Sequence, residues 1–80
     1  MRRFYLVRHR DRSGVSGTGL VAWGVEFPSG WVALHFRPDL KGVETIYPYK
    51  DIADMYLLHG HGGETEIVWI DEKDQQVRMV

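Results

Sequence analysis

Residues 20–27 and 31–37 each alternate in side-chain character, and Pro28-Ser29-Gly30 separates them. Side chains of an extended chain point alternately to opposite faces, so such runs read as strands. In the first run Val21, Trp23, Val25 and Phe27 share a face. In the second, Val32, Leu34 and Phe36 share one face, and Trp31, Ala33, His35 and Arg37 share the other. A short connection containing glycine, which is free to adopt positive φ, joins two such runs as an antiparallel hairpin. Any fold of this chain must therefore be built around a β pair.

The rest of the chain extends the sheet and interrupts it once. Residues 3–9 alternate, with Phe4, Leu6 and Arg8 on one side and Tyr5, Val7 and His9 on the other. Residues 10–19 hold three glycines and two serines and read as a loop. Residues 37–42 form a second loop, and 43–47 a short strand stopped by Pro48. The period then changes. Ile52, Met55, Tyr56 and His59 follow helical spacing, Asp51 fits the N-cap, Asp54 sits favourably at the positive end of the helix, and Gly60 fits C′. Residues 65–70 are apolar on both faces and read as a central or covered strand. Residues 71–74 form a polar turn, and 76–80 a last edge strand.

The expected architecture is mostly β (α+β): one domain over residues 1–80, of five to six strands with one short helix near 51–59. A small curved antiparallel sheet and a closed SH3-like barrel both satisfy the pattern. Eighty residues bury only roughly 60% of the unfolded chain's surface, so the core depends on large side chains. Three Trp, four Tyr and three Phe are available for it.

Composition narrows the function. With no cysteine, disulfides and Cys-based zinc sites are excluded. A net charge of −1 implies no general attraction to nucleic acid or anionic membrane. No apolar run approaches a membrane span, and the N-terminus has no signal-peptide pattern, so a cytoplasmic protein is expected.

Three segments in order carry a resemblance: Gly14-Val15-Ser16-Gly17-Thr18-Gly19; Val21-Ala22 with Gly24-Val25-Glu26-Phe27; and His59-Gly60-His61-Gly62-Gly63 with Thr65 and Trp69. Over about residues 3–71 the chain resembles a family of short proteins from phages and prophages of actinobacteria and from haloarchaea and their viruses. The resemblance implies a phage or prophage setting and supplies no mechanism.

Several clusters carry residue types suited to chemistry. His59 and His61 suggest a metal, but their spacing matches no zinc motif. The favoured reading has His59 capping the last helical turn and His61 bonding within the turn, with no metal or cofactor. The 14–19 segment looks like a phosphate cradle, yet it lacks the P-loop lysine and leads into a strand. Arg8, Arg10 and Arg12 would form a basic stripe if the strand continued, although a solvated strand end is favoured. No nucleophile elbow or catalytic pairing appears, so the chain is read as leaning away from an enzyme. Tryptophans in a chain this small belong mainly to the core. Trp31 is the exception, and Trp31, His35 and Arg37 form a candidate protein-contact face. The leading expectation is a non-enzymatic binding module, a phage accessory protein that engages a host or viral protein. The alternative is a small-anion, nucleotide-like or nucleic-acid binder. It would use Arg10, Ser16, Thr18, His59 and His61, if the two glycine-rich loops meet at one end of the sheet.

Overall fold

The computed structural model describes residues 1–10, 17–38 and 41–73. Ser16, Arg12 and the expected strand 76–80 lie outside the described residues. Five strands, β1 (Arg2–Arg8), β2 (Gly19–Glu26), β3 (Val32–Phe36), β4 (Thr45–Tyr49) and β5 (Thr65–Trp69), form one antiparallel sheet in the order β4-β3-β2-β1-β5. One helix, α1 (Ile52–His59), connects β4 to β5 and so passes from one edge of the sheet to the other. The sheet is open, with β4 and β5 at its edges among the described residues.

The expected hairpin is present. Phe27 N–H donates to the Trp31 carbonyl at 2.8 Å, Gly30 N–H to the Phe27 carbonyl at 2.9 Å, and Gly30 takes φ +94°. Helix α1 starts as its sequence requires: the Asp51 carboxylate accepts from the Asp54 N–H at 2.7 Å. Its end differs. Gly60 is right-handed (φ −70°), and the left-handed residues are His61, Gly62 and Gly63. Gly60 is needed for space instead, since a Cβ there would come within 2.6 Å of the Tyr56 carbonyl oxygen.

Strand β4 runs through Pro48 rather than stopping before it. Proline has no amide proton for the ladder, and an edge strand has one side that needs none. Strand β5, expected to be central or covered, is likewise an edge among the described residues. Its apolar side chains on both faces arise because Ile67 and Trp69 join the core while Val68 faces the other way.

The core lies on the helix-covered face. Phe4, Leu6, Val21, Ala22, Val32, Leu34 and Met55 are buried, with Phe36, Tyr49, Ile52, Ile67 and Trp69 packed around them. The middle strand contributes small residues there: Leu6 pairs with Ala22 and Phe4 with Gly24. A Cβ on Gly24 would fall 2.2 Å from the Phe4 ring, so the ring occupies the space that glycine leaves. That ring meets Trp69 edge-on at 5.1 Å, and the Arg2 guanidinium lies 3.7 Å over the centre of the Trp69 ring system.

The phase of β2 is therefore the reverse of the one its large residues suggest. Trp23 and Val25 lie on the side away from the helix, and Trp23 is 39% exposed, not core. Val21 still reaches the core because the register shifts between Leu6 and Val7. Ala22 faces Leu6 and Leu20 faces Val7, which leaves Val21 as the extra residue of a β-bulge.

Candidate functional site

Two regions carry polar or exposed side chains in an organised arrangement: the end of the sheet where β1 meets the turn after α1, and the sheet face opposite the helix.

At the sheet end, Arg8 is the last residue of β1 and only 1% exposed, although it is a cation. It faces inward by the same alternation that buries Phe4 and Leu6. Its Nε donates to Thr65 Oγ1 at 3.0 Å and its Nη2 to the His59 carbonyl at 3.4 Å. That carbonyl belongs to the last turn of α1, where free carbonyls carry partial negative charge. The helix end is thus capped by Arg8, not by the His59 imidazole. Tyr56 completes the clamp by donating to the Thr65 carbonyl at 2.7 Å. Arg8 is accordingly neither part of a solvated strand end nor of a basic stripe.

The His59 ring turns instead toward β3 and β4. Its Nε2 lies 2.5 Å from the Tyr49 hydroxyl, and the ring packs 4.9 Å from that of Phe36. Burial, with Arg8 and His61 nearby, holds this imidazole below the ordinary histidine value. Burial and Tyr47 raise the Tyr49 phenol, which stays protonated. The neutral imidazole therefore belongs to the folded state. A base whose folded pKa is lowered stabilises the fold above its unfolded value, near 6.5, and loses that contribution as pH falls. Asp71 follows the same sign lower down. Its carboxylate accepts from the Arg3 backbone N–H, Nε and Nη2 at 2.9 Å each, which holds its pKa far below the usual carboxylate range. Melting temperature is expected to decline in two acid stages, one below about pH 6.5 and one below about pH 4. His59→Asn should remove the first stage and keep the second, as thermal melts across pH 8 to 3 would reveal. An unchanged first stage in that variant would assign it to another group.

Gly19, at the end of the first glycine-rich segment, and Thr65, just after the second, both lie at this end. Arg8 pairs with Gly19 on one side and Thr65 on the other. Neighbouring strands are ~4.8 Å apart, which puts these two partners roughly 10 Å from one another. His9 N–H also donates to the Glu64 carbonyl at 2.7 Å. Of the expected pocket residues, Arg10 and Thr18 are exposed, His61 is half-buried at φ +50°, and His59 is engaged with Tyr49. Arg37 lies against Gly17, where a Cβ would sit 2.4 Å from its Nη2. Among the described residues no group of three or more His, Asp or Glu side chains converges as metal ligands.

The face opposite the helix is more extensive. Cross-strand register lines up Ile46, His35, Trp23, Tyr5 and Val68, one residue from each of the five strands. Pro48, Ala33 and Val25 line up beside this row toward Arg3, and Leu20 and Val7 continue the apolar surface on its other side. Ile46 is 68% exposed and Trp31, at the turn, 51%. Trp23 and His35 rings lie 5.4 Å apart, and His35 Nε2 is 3.3 Å from a Glu44 carboxylate oxygen. Trp31, His35 and Arg37 were expected to share a contact face. Trp23, Tyr5, Ile46 and Val68 were not included in it. The hairpin held the missing signal for Trp23: a turn closed by Phe27 and Trp31 places Trp23 opposite His35 on the same side.

The chain is thus a small antiparallel α+β domain with a helix-covered core on one face and an open aromatic surface on the other. It belongs to the Acb5 phage protein family, whose model matches residues 1–71. No curated protein and no solved structure matches it. The family match agrees with the phage setting implied by the three sequence segments. No helix among the described residues is long and apolar enough to cross a membrane.

Proposed function

We propose that this member of the phage family is a non-enzymatic binding module that engages a protein through the open face of its sheet. The observation that carries the reading is the five-residue row Ile46–His35–Trp23–Tyr5–Val68, an aromatic and aliphatic surface left uncovered by the helix. Contiguous exposed apolar surface of this kind marks interaction sites, and Trp and Tyr are the side chains that most often carry binding energy there. The test is a pull-down from host lysate, with and without the other phage proteins, using wild type, Trp23→Ala and Trp31→Ala. A specific partner retained by wild type and lost by both variants, with circular dichroism and melting unchanged, supports the face. Capture that is equal in all three rejects it.

A second reading, binding of a small anionic or nucleotide-like ligand, is favoured by the register that brings Gly19 and Thr65 to either side of Arg8. Titration with phosphate and nucleotides tests it by chemical-shift changes. Shifts confined to Arg10, Thr18, His59 and His61 support this reading, and none at millimolar ligand rejects it.

A further inference from the structure

We infer that the edge of β5 accepts an extended strand from another protein, which joins the sheet through the backbone of Ile67 and Trp69. This contact lies at the edge of the sheet and not on its open face, so it goes beyond the surface proposed above and stands or falls separately.

Backbone direction singles out this edge. His9 N–H donates to the Glu64 carbonyl at 2.7 Å, and Ile70 N–H to the Arg3 carbonyl at 2.9 Å. Hydrogen-bonded and non-hydrogen-bonded pairs alternate along an antiparallel ladder. Between those two bonds the register turns the backbone of Glu66 and Val68 toward β1, and that of Thr65, Ile67 and Trp69 away from the sheet. Thr65 has its outward groups in use: its N–H donates to the Gly60 carbonyl at 3.0 Å, and its carbonyl accepts from Tyr56 at 2.7 Å. Among the described residues none bonds the outward N–H and C=O groups of Ile67 and Trp69. These supply alternate donors and acceptors in the order that a further strand needs.

The other edge is unlike it. Phe27 N–H donates to the Trp31 carbonyl and Arg37 N–H to the Val21 carbonyl, which turns Trp31, Ala33, His35 and Arg37 toward β2. Val32, Leu34 and Phe36 therefore bond to Tyr49, Tyr47 and Thr45 of β4. The outward residues of β4 are then Ile46 and Pro48, and proline has no N–H to offer. Proline blunts an edge against strand addition, and β5 contains none.

Ile67 and Trp69 pack against the core, so the backbone behind them is held in place. The bonding residues of a donor strand lie beside Ile67 and Trp69 on the helix side, where apolar side chains fit. The residues between them lie beside Glu66 and Val68. The partner is thus an extended segment with an apolar residue at every second position. A second copy fits less well. An antiparallel pair of β5 edges that uses both residues sets Thr65 of each copy, with its Gly60 turn, against Asp71 of the other. A free segment meets no such obstacle.

The test is amide hydrogen exchange of the full chain by NMR, alone and with the capped peptide Thr-Val-Lys-Val-Thr-Val-Lys. In the free chain the Ile67 and Trp69 amides should exchange at least about 100-fold faster than those of Glu66 and Val68. The peptide at about 1 mM should slow exchange at Ile67 and Trp69 by about tenfold or more. The same peptide N-methylated at its three valines keeps the side chains, loses the donors that face β5, and should have no effect. Slow exchange at Ile67 and Trp69 in the free chain would mean that the edge is already filled, by the chain itself or, where it depends on concentration, by a second copy; either overturns the inference. So does a peptide that leaves both amides unchanged, or an N-methylated peptide that protects them equally. None of these outcomes bears on the open face, which is read through Trp23 and Trp31.

Discussion

Arg8→Ala is expected to lower unfolding free energy by about 3 kcal/mol, the largest effect of any single polar substitution in the described chain. The guanidinium is buried and bridges three elements: β1, which carries it; β5, through Thr65 Oγ1; and α1, through the His59 carbonyl. Truncation leaves the buried Thr65 hydroxyl and the part-buried His59 carbonyl without this donor, and a buried acceptor costs roughly 1–3 kcal/mol when unsatisfied. It also removes the aliphatic stem from the end of the core. Arg8→Lys is not conservative here, because one ammonium cannot reproduce the fork that reaches both oxygens. It should lose about half as much. Urea unfolding measures both, with Thr65→Val as the control. If Arg8 and Thr65 act through their shared bond, the double variant Arg8→Ala/Thr65→Val is less destabilised than the sum of the single ones. Additive losses, or a loss below about 1 kcal/mol for Arg8→Ala, would show that the clamp contributes little.

Gly24→Ala should cost about 1–3 kcal/mol, and here the sign itself is diagnostic. Glycine inside a strand ordinarily weakens it, so alanine at a roomy position would be neutral or stabilising by roughly 0.5–1 kcal/mol. At position 24 the added methyl falls on the Phe4 ring, 2.2 Å from its nearest carbon. The ring cannot swing aside, because it is fully buried and packed against Trp69. Shortening the obstacle should relieve the clash: Phe4→Leu alone opens a cavity, and Gly24→Ala then fills part of it. The double variant is therefore expected to be more stable than the two single losses predict, by about 0.5–3 kcal/mol of coupling. Denaturant midpoints of the four proteins decide the matter. A stabilising Gly24→Ala would mean that the ring does not occupy that space.

Both effects involve contacts between strands, and this is where sequence reading reached its limit. The hairpin at 20–37, the helix over 52–59 with its Asp51 cap, and the antiparallel β class were all legible, because each depends on neighbours within a few residues. From Ala22 onward, alternation along β2 also separated its two faces correctly. It carried no information about which face the helix would cover. Side-chain size pointed to the face of Val21, Trp23, Val25 and Phe27, whereas the core took Val21 and Ala22 and left the space at Gly24 to the Phe4 ring. Space under the helix was already claimed by Phe4 and Leu34, so the middle strand could contribute only small residues there. The bulge that returns Val21 to the core breaks the very period from which a sequence is read.

The candidate site divides in the same way. Trp31 and His35 were recognisable as unlike a core face from their neighbours in sequence. The row that joins His35 to Ile46, Tyr5 and Val68 needed the order of all five strands, and that order is set when α1 carries the chain from one edge of the sheet to the other. The sequence by itself determined the local elements, because capping, turn geometry and alternation act over a few residues. Only the tertiary structure decided the phase of β2, the burial of Arg8 and the composition of the open face, because each is fixed by competition for the same volume among side chains far apart in the chain.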